Sequence, residues 1–292
     1  MASTRSTTAV PELSLPSGNA RPVPEATKNA VLAAIELGFR HFDTAYVYGT
    51  EKPLGEGVAE AVRRGLIKSR EESRNLQMEY LDLYLIHMPV CRKPGPPVLP
   101  ARREDALPFD FKGVWQAMEE CQRLGLAKAI GVSNFTTKHL DKTLPFATIT
   151  PAVNQVEVNP VCQQPKLRRY CAEKGIHVQA FSPLGGQSWT GERNAVLESE
   201  VLAEIAKARG KTVAQVSLRW VHEQEVSFVV KTYKQERLKE NLEIFDWELT
   251  DEDRFKISQI PHHKKFAGFA YIFKPEGEFT SVDISEINPE ED

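Results

Sequence analysis

From Glu25 onward the chain alternates short apolar runs, rich in β-branched and aromatic residues, with amphipathic stretches of helical period. The runs are "HFDTAYVY", "LDLYLIH", "KAIGVSN", "AVNQVEV", "HVQAFSPL" and "SFVVKTY". Between them, Val31, Ala34 and Ile35 closed by Gly38, and Val114, Met118 and Cys121 closed by Gly125, have the spacing and glycine stops of surface helices. This is the βαβα order of a parallel sheet. Near the end, Thr250 and Asp253 form a capping-box signal ahead of Ile257 and Ile260, which predicts a last helix covering the last strand. Trp115 and Trp220 fall at helical spacing with apolar neighbours and read as packing residues. Two stretches stand outside the alternation. "PELSLPSGNARPVP", residues 11–24, reads as a hairpin turning at Ser17, Gly18 and Asn19, and residues 90–110 form a long Pro-rich connection. The expected organisation is a flexible start over 1–10 and a single domain over 11–292, with a tail from 261 to 292.

Each apolar run ends in polar side chains. In chain order these are Asp43 and Tyr48, then His87, then Ser133 and Asn134, then Gln155, Glu157 and Asn159, then Ser182, then Lys231 and Thr232. In a closed parallel barrel every such end points to one face, whereas an open doubly wound sheet would gather them only at its switch point. No GxGxxG or Walker A sequence follows any run, so the barrel is the preferred architecture. The chemistry available to such a ring is proton and hydride transfer. A tyrosine acts as a general acid near neutral pH only if a nearby cation lowers its pKa from about 10. A histidine beside it can donate to a carbonyl oxygen, and Ser, Asn and Gln at neighbouring strand ends can orient a planar amide such as a nicotinamide carboxamide. Taken singly, Asp43 reads as a turn residue, His87 as a core histidine, and Lys231 and Arg237 as surface charges; only together do they make a site. Tyr46 reads as structural.

Composition changes this picture little. The 292 residues are 41% hydrophobic and 26% charged with a net charge of −3, which gives no footprint for nucleic acid. No apolar run approaches the roughly 18 residues of a spanning helix, and "MASTRSTTAV" lacks the apolar centre of a signal peptide. A cytoplasmic protein without a membrane partner is expected, although the acid-free Ser/Thr start leaves a transit-peptide reading open. The four cysteines, Cys91, Cys121, Cys162 and Cys171, have neither CxxC spacing nor a nearby histidine, so reduced thiols and no metal site are expected.

Six ordered motifs, "FDTAYVYGTEKPLGEGV", "DLYLIHMP", "GVSNF", "PAVNQVEVNP", "AFSPLG" and "VVKTYKQERLKEN", resemble the aldo-keto reductase family. The wording of "RNLQMEYLDLYLIH" and "IFDWELTDED" is most similar to its plant branch, which holds codeinone reductase and deoxymugineic acid synthase. The resemblance implies an α/β fold, a (β/α)8 TIM barrel, and NADPH-dependent reduction of a small-molecule aldehyde or ketone by a monomer. It assigns Tyr48 as proton donor, Asp43 as its acid partner and His87 as the group that orients the substrate carbonyl. For NADPH/NADP+ it implies carboxamide contacts from Ser133, Asn134 and Gln155, with Phe181 stacking on the ring. Ser182, Leu184 and Gly185 take the pyrophosphate side; Lys231, Thr232, Arg237, Glu240 and Asn241 take the adenosine end, where Lys231 and Arg237 would neutralise a 2′-phosphate. The tail aromatics Phe266, Phe269, Tyr271 and Phe273 either cover the barrel or wall the substrate site.

Two segments of the family pattern are absent. Pro24 runs directly into a helix where the first barrel strand is expected, and Leu66 to Leu81 leaves no room for the third strand, which in the family carries a catalytic lysine. The barrel is thus expected to be incomplete, with impaired turnover, because Tyr48 loses the cation that would depress its pKa. Lys52 and Lys68 are the nearest lysines in sequence and are poorly placed to replace it. The alternative is a catalytically weak NADP(H)-binding or regulatory protein on the same scaffold.

Overall fold

A computed structural model describes residues 12–14, 24–67, 80–94, 105–186 and 193–262. Its elements alternate as the sequence predicts, and the chain divides into two compact units, Met1–Gln77 with Ser182–Ile260 and Met78–Phe181 with Pro261–Asp292.

In the first unit, β1 (Glu12–Ser14) lies between β2 (Phe42–Asp43) and β9 (Ser227–Val230), parallel to both, with Leu13 opposite Phe42 on one side and Val230 on the other. Three residues expected in a hairpin therefore occupy the place next to β2 where the first barrel strand was expected to be missing. The rest of residues 11–24, up to the helix that begins at Pro24, lies outside the described residues. Helix α1 (Pro24–Glu36) starts on a proline, whose fixed φ suits a first turn, and gives way at Gly38, whose φ of +98° strongly favours glycine. α1 packs on α2 (Glu51–Arg63) through Val31, Ile35, Leu54 and Val58, joined by Phe39 and Phe42 in one buried cluster. A Cβ on Gly57 would stand 3.0 Å from Val31 Cγ1, so glycine here sets how closely the helices approach.

Later in this unit come α6 (Glu200–Arg209), α7 (Val213–Glu223), α8 (Gln235–Leu242) and α9 (Asp251–Ser258). The expected capping box is present: Thr250 Oγ1 accepts from Asp253 N, and Asp253 Oδ2 accepts from Thr250 N. α9 packs against α6, where the Arg209 guanidinium donates to both Asp253 and Thr250 (2.8 and 2.7 Å). Burial pushes the Asp253 carboxyl up, but the Thr250 hydrogen bonds and Arg209 outweigh it and hold the pKa below the usual value. Trp220 is buried on α7, as its spacing predicts.

The second unit holds a four-stranded parallel sheet in the order β8 (His177–Phe181), β7 (Val153–Glu157), β6 (Ala127–Ser133), β3 (Leu81–Ile86). The long connection begins and ends in an antiparallel pair, β4 (Cys91–Arg92) with β5 (Ala106–Leu107). α3 (Phe111–Arg123), α4 (Thr137–Thr143) and α5 (Pro165–Glu173) complete it. Trp115, fully buried on α3, donates from its indole to the Ile149 carbonyl (3.1 Å). One turn on, the Glu119 carboxylate accepts from the Thr148 and Ile149 amides at 2.6 and 2.8 Å. Burial raises its pKa and these amides, with Arg123, more than reverse that, so a buried acid stays charged by capping the turn before β7.

Among the described residues β2 has β1 as its only strand neighbour, and β3 has only β6. The stretch 68–79, where the third family strand was expected to be missing, lies outside the described residues, as do residues 95–104 of the long connection and 263–292 of the tail.

Gly131 fixes how β6 meets its neighbours, because a Cβ there would lie 2.5 Å from the Val153 carbonyl oxygen and 2.8 Å from Leu85 Cδ2. Gly131→Ala must part β6 from β7 and is expected to destabilise the fold by about 1–3 kcal/mol, which lowers Tm by a few to about 10 °C. A thermal scan with Tm unchanged would contradict this account of the sheet.

Candidate active site

The C-terminal ends of β3, β6 and β7 bring four of the expected residues together, His87, Ser133, Asn134 and Gln155. β6 ends at Ser133, which is buried, and the next residue, Asn134, has a φ of 62°, a left-handed conformation that asparagine tolerates better than most residues. Turned this way, Asn134 donates from its main-chain N to the Gln155 carbonyl (2.9 Å) and from Nδ2 to both the His87 carbonyl (2.9 Å) and Ser133 Oγ (3.1 Å). The Ser133 hydroxyl donates its own proton to the same Gln155 carbonyl at 2.8 Å. Both Nδ2 hydrogens of Asn134 are thereby engaged, which holds the amide in one orientation.

Gln155 is fixed in turn. Its Nε2 donates to Gln179 Oε1 at 2.5 Å, and both residues are buried on adjacent strands β7 and β8. Phe181 ends β8 half-buried. Asn159 acts on the main chain instead, with the Glu157 carboxylate as its side-chain partner. Asn159 donates to the Glu157 carboxylate (3.3 Å) and accepts from Val161 N (3.1 Å), which shapes the turn after β7.

His87 follows β3 and carries the main-chain carbonyl that Asn134 grips. Part of the residue is exposed, but desolvation of the imidazole pushes its pKa below the ordinary histidine value. At neutral pH the ring is therefore uncharged and can donate one N–H to a carbonyl oxygen while bearing no positive charge.

Asp43, Tyr48 and the residues assigned to the pyrophosphate and adenosine ends of the nucleotide belong to the first unit. Asp43 ends β2, and Tyr48 closes a 3₁₀ turn over Tyr46–Tyr48, stopped by Gly49 at a φ of 65°. A hydrogen bond of 2.8 Å between the hydroxyls of Thr44 and Thr50 ties the two sides of this turn, so the half-buried Tyr48 is carried on a braced loop. Tyr46, read from sequence as structural, is 74% exposed and takes no part in a core. Of the two lysines nearest in sequence, Lys52 is 84% exposed with its ammonium 3.9 Å from Glu56, and Lys68 lies outside the described residues.

After β9, Lys231 is exposed at the strand end, with its pKa held below the usual lysine value by desolvation, and Thr232 is buried with its hydroxyl accepting from Lys234 N (3.1 Å). Arg237 and Asn241 lie on α8, the first exposed and the second buried. Glu240 is engaged elsewhere: its carboxylate accepts from the Thr212 hydroxyl at the start of α7. Ser182, Leu184 and Gly185 form a tight loop, with Ser182 at a φ of 49° and Gly185 at 80°.

Sequence reasoning missed two residues that hold this machinery, Gln179 and Asn194. Gln179 is a long amide inside an apolar run, which is itself a signal, and Asn194 opens "NAVLE", a turn-capping pattern. Asn194 Nδ2 donates to the carbonyls of Leu184 and Gly186.

Strand-end amides beside a neutral histidine, on parallel α/β elements, are the equipment of an oxidoreductase that works on carbonyl groups. The chain belongs to the aldo/keto reductase family, whose model matches residues 62–261. It is similar to an aldo-keto reductase of Melia azedarach named for 7-acetyl-epi-neemfruitin B, 52% identical over 275 residues that cover 86% of each chain. It is as similar to deoxymugineic acid synthase 1-D of Triticum aestivum, at 52% identity over 86% of this chain and 88% of that one. These relatives agree with the plant branch indicated by the motifs. Among solved structures, the Bombyx mori aldo-keto reductase in complex with NADP matches with a TM-score of 0.76 at 31% identity, covering 87% of this chain and 90% of that one. The Schistosoma japonicum aldose reductase gives a TM-score of 0.78 at 29% identity over 92% and 96%. The fold is therefore of the aldo-keto reductase, TIM-barrel type that was expected.

The geometry sets the titration of His87. Its ring protons, followed by NMR across pH, are expected to titrate below the ordinary value of 6.5; a midpoint at or above 6.5 would refute the desolvated, neutral imidazole.

Proposed function

We propose that the protein catalyses NADPH-dependent reduction of an aldehyde or ketone to an alcohol, and that its turnover is slow. The observation that carries this reading is the fixed amide pair, Asn134 and Gln155, whose orientations are locked by Ser133, His87 and Gln179. Two amides held in one orientation at adjacent strand ends suit a planar carboxamide, and by this measure a nicotinamide fits the chain's own residues. Gly185 keeps the loop assigned to the pyrophosphate close against the turn that follows it, since a Cβ there would strike Asn194 and Val196.

The bound cofactor would supply a hydride. The remaining roles fall to side chains. Asn134 and Gln155 orient the carboxamide, Phe181 offers a ring face, and Ser182, Leu184 and Gly185 line the pyrophosphate. Lys231 and Arg237 neutralise the 2′-phosphate at the start of α8, where main-chain N–H groups also favour an anion. His87, neutral, polarises the substrate carbonyl by donating to its oxygen, and Tyr48 delivers the proton to that oxygen. Asp43 stands near the proton donor in sequence as its acid partner. We further propose a cytosolic monomer acting on a small-molecule carbonyl compound.

Slow turnover is read from the sequence, in which the segment that carries the family lysine finds no room between Leu66 and Leu81. Lys52, nearest in sequence after Tyr48, lies in solvent beside Glu56. Loss of an effective general acid lowers a rate by roughly 10²–10⁴. In an assay of NADPH oxidation with a reactive aromatic aldehyde, turnover is expected to be slower by that factor than in a relative that has the lysine, and Tyr48→Phe is expected to abolish what remains. Turnover equal to such a relative overturns the role given to the missing lysine. Tight NADPH binding with no turnover favours the alternative, a nucleotide-binding or regulatory protein on the same scaffold, and absence of binding removes both.

A further inference from the structure

The ladder between β7 and β8 sets Gln155 opposite Gln179 and Glu157 opposite Phe181. Side chains two apart in a strand share a face, so Gln179 stands behind the ring assigned to the nicotinamide, one step deeper in the sheet. It is 3% exposed, and its neighbours Val178 and Ala180 are buried. A long amide in such a run is costly unless it is hydrogen-bonded. Here its Oε1 accepts from Gln155 Nε2 at 2.5 Å.

The main chain of Gln155 is already held, since its carbonyl accepts from the Ser133 hydroxyl and from Asn134 N. Those bonds leave undecided how the side-chain amide turns about its last bond, a torsion that in glutamine is broad and nearly twofold. The two ends of that amide are similar in size and opposite in character, one an acceptor and the other a donor of two hydrogens. Gln179 breaks the tie. Its oxygen draws the Nε2 end of Gln155 toward β8, and because the amide is planar the Oε1 end is turned away from Gln179. An acceptor held in that direction suits the NH2 of a carboxamide. It repels a carboxylate, which has only acceptors to offer.

We infer that Gln179 is a positioning residue that makes the nicotinamide end of the site selective for a carboxamide over a carboxylate, through the orientation it imposes on Gln155. The inference rests on the NADPH reading above. Without the Gln179 oxygen, the Gln155 amide is able to turn over and offer Nε2 to a carboxylate.

The test compares the dissociation constants of NADP+ and of nicotinic acid adenine dinucleotide phosphate, which carries a carboxylate in place of the carboxamide. Both are measured on wild type, Gln179→Met and Gln179→Leu, with thermal unfolding of each. Wild type is expected to prefer NADP+, and in both variants that preference is expected to fall about tenfold, the effect of one directed hydrogen bond. Loss of packing alone weakens both dinucleotides alike and leaves their ratio unmoved. Gln179→Leu, which suits a buried apolar strand, keeps the test decisive if Gln179→Met fails to fold. An unchanged preference in a folded variant overturns the inference, and so does a wild type that binds the two dinucleotides equally. If wild type binds neither, the NADPH reading itself fails, an outcome distinct from the other two.

Discussion

One carbonyl oxygen, that of Gln155, holds the amide site in register. It accepts from the Ser133 hydroxyl and from the Asn134 main chain, and so couples the end of β6 to the end of β7 at the point where the sheet ladder stops. With the left-handed Asn134 pinned there, its side chain has one remaining direction, toward the main chain of His87. A carbonyl has two lone pairs and both are used, so little rotation is left in any member of the set. The arrangement is stiff because it is built on main-chain atoms of strands and not on long side chains.

Much of this was legible in the sequence, and the reason is periodicity. Apolar runs that end abruptly in Ser133, Gln155, Ser182 or Lys231 announce where buried strand gives way to a polar rim, and the box of Thr250 and Asp253 announces a helix start by reciprocal hydrogen bonding. Trp115 and Trp220 were readable as packing residues from helical spacing alone. What could not be read depends on partners distant in sequence. Glu12–Ser14 is too short for a period to emerge, and its strand conformation comes from β2 and β9 on either side. Gln179 gains its meaning only when β8 is laid beside β7, and Glu240 only when α8 meets Thr212. Arg92 and Ala106 pair across a connection whose composition suggested only irregular chain.

The strand pairing also bears on the expected incompleteness. β3 carries Asp82 within an otherwise apolar run, ion-paired at 3.4 Å with Lys128 of β6, and Lys128 also lies 4.3 Å over the Tyr80 ring. A charge within a strand that has a single described neighbour discourages pairing with other chains. At β2 the same end is served by shortness, since a ladder of two residues offers little to extend.

The hold of Asn194 on Leu184 and Gly186 has a thermodynamic side as well. One amide that grips two carbonyls and also accepts from Val196 N and Leu197 N ties four main-chain groups to a single side chain, so the glycine turn and the turn after Asn194 gain or lose their order together.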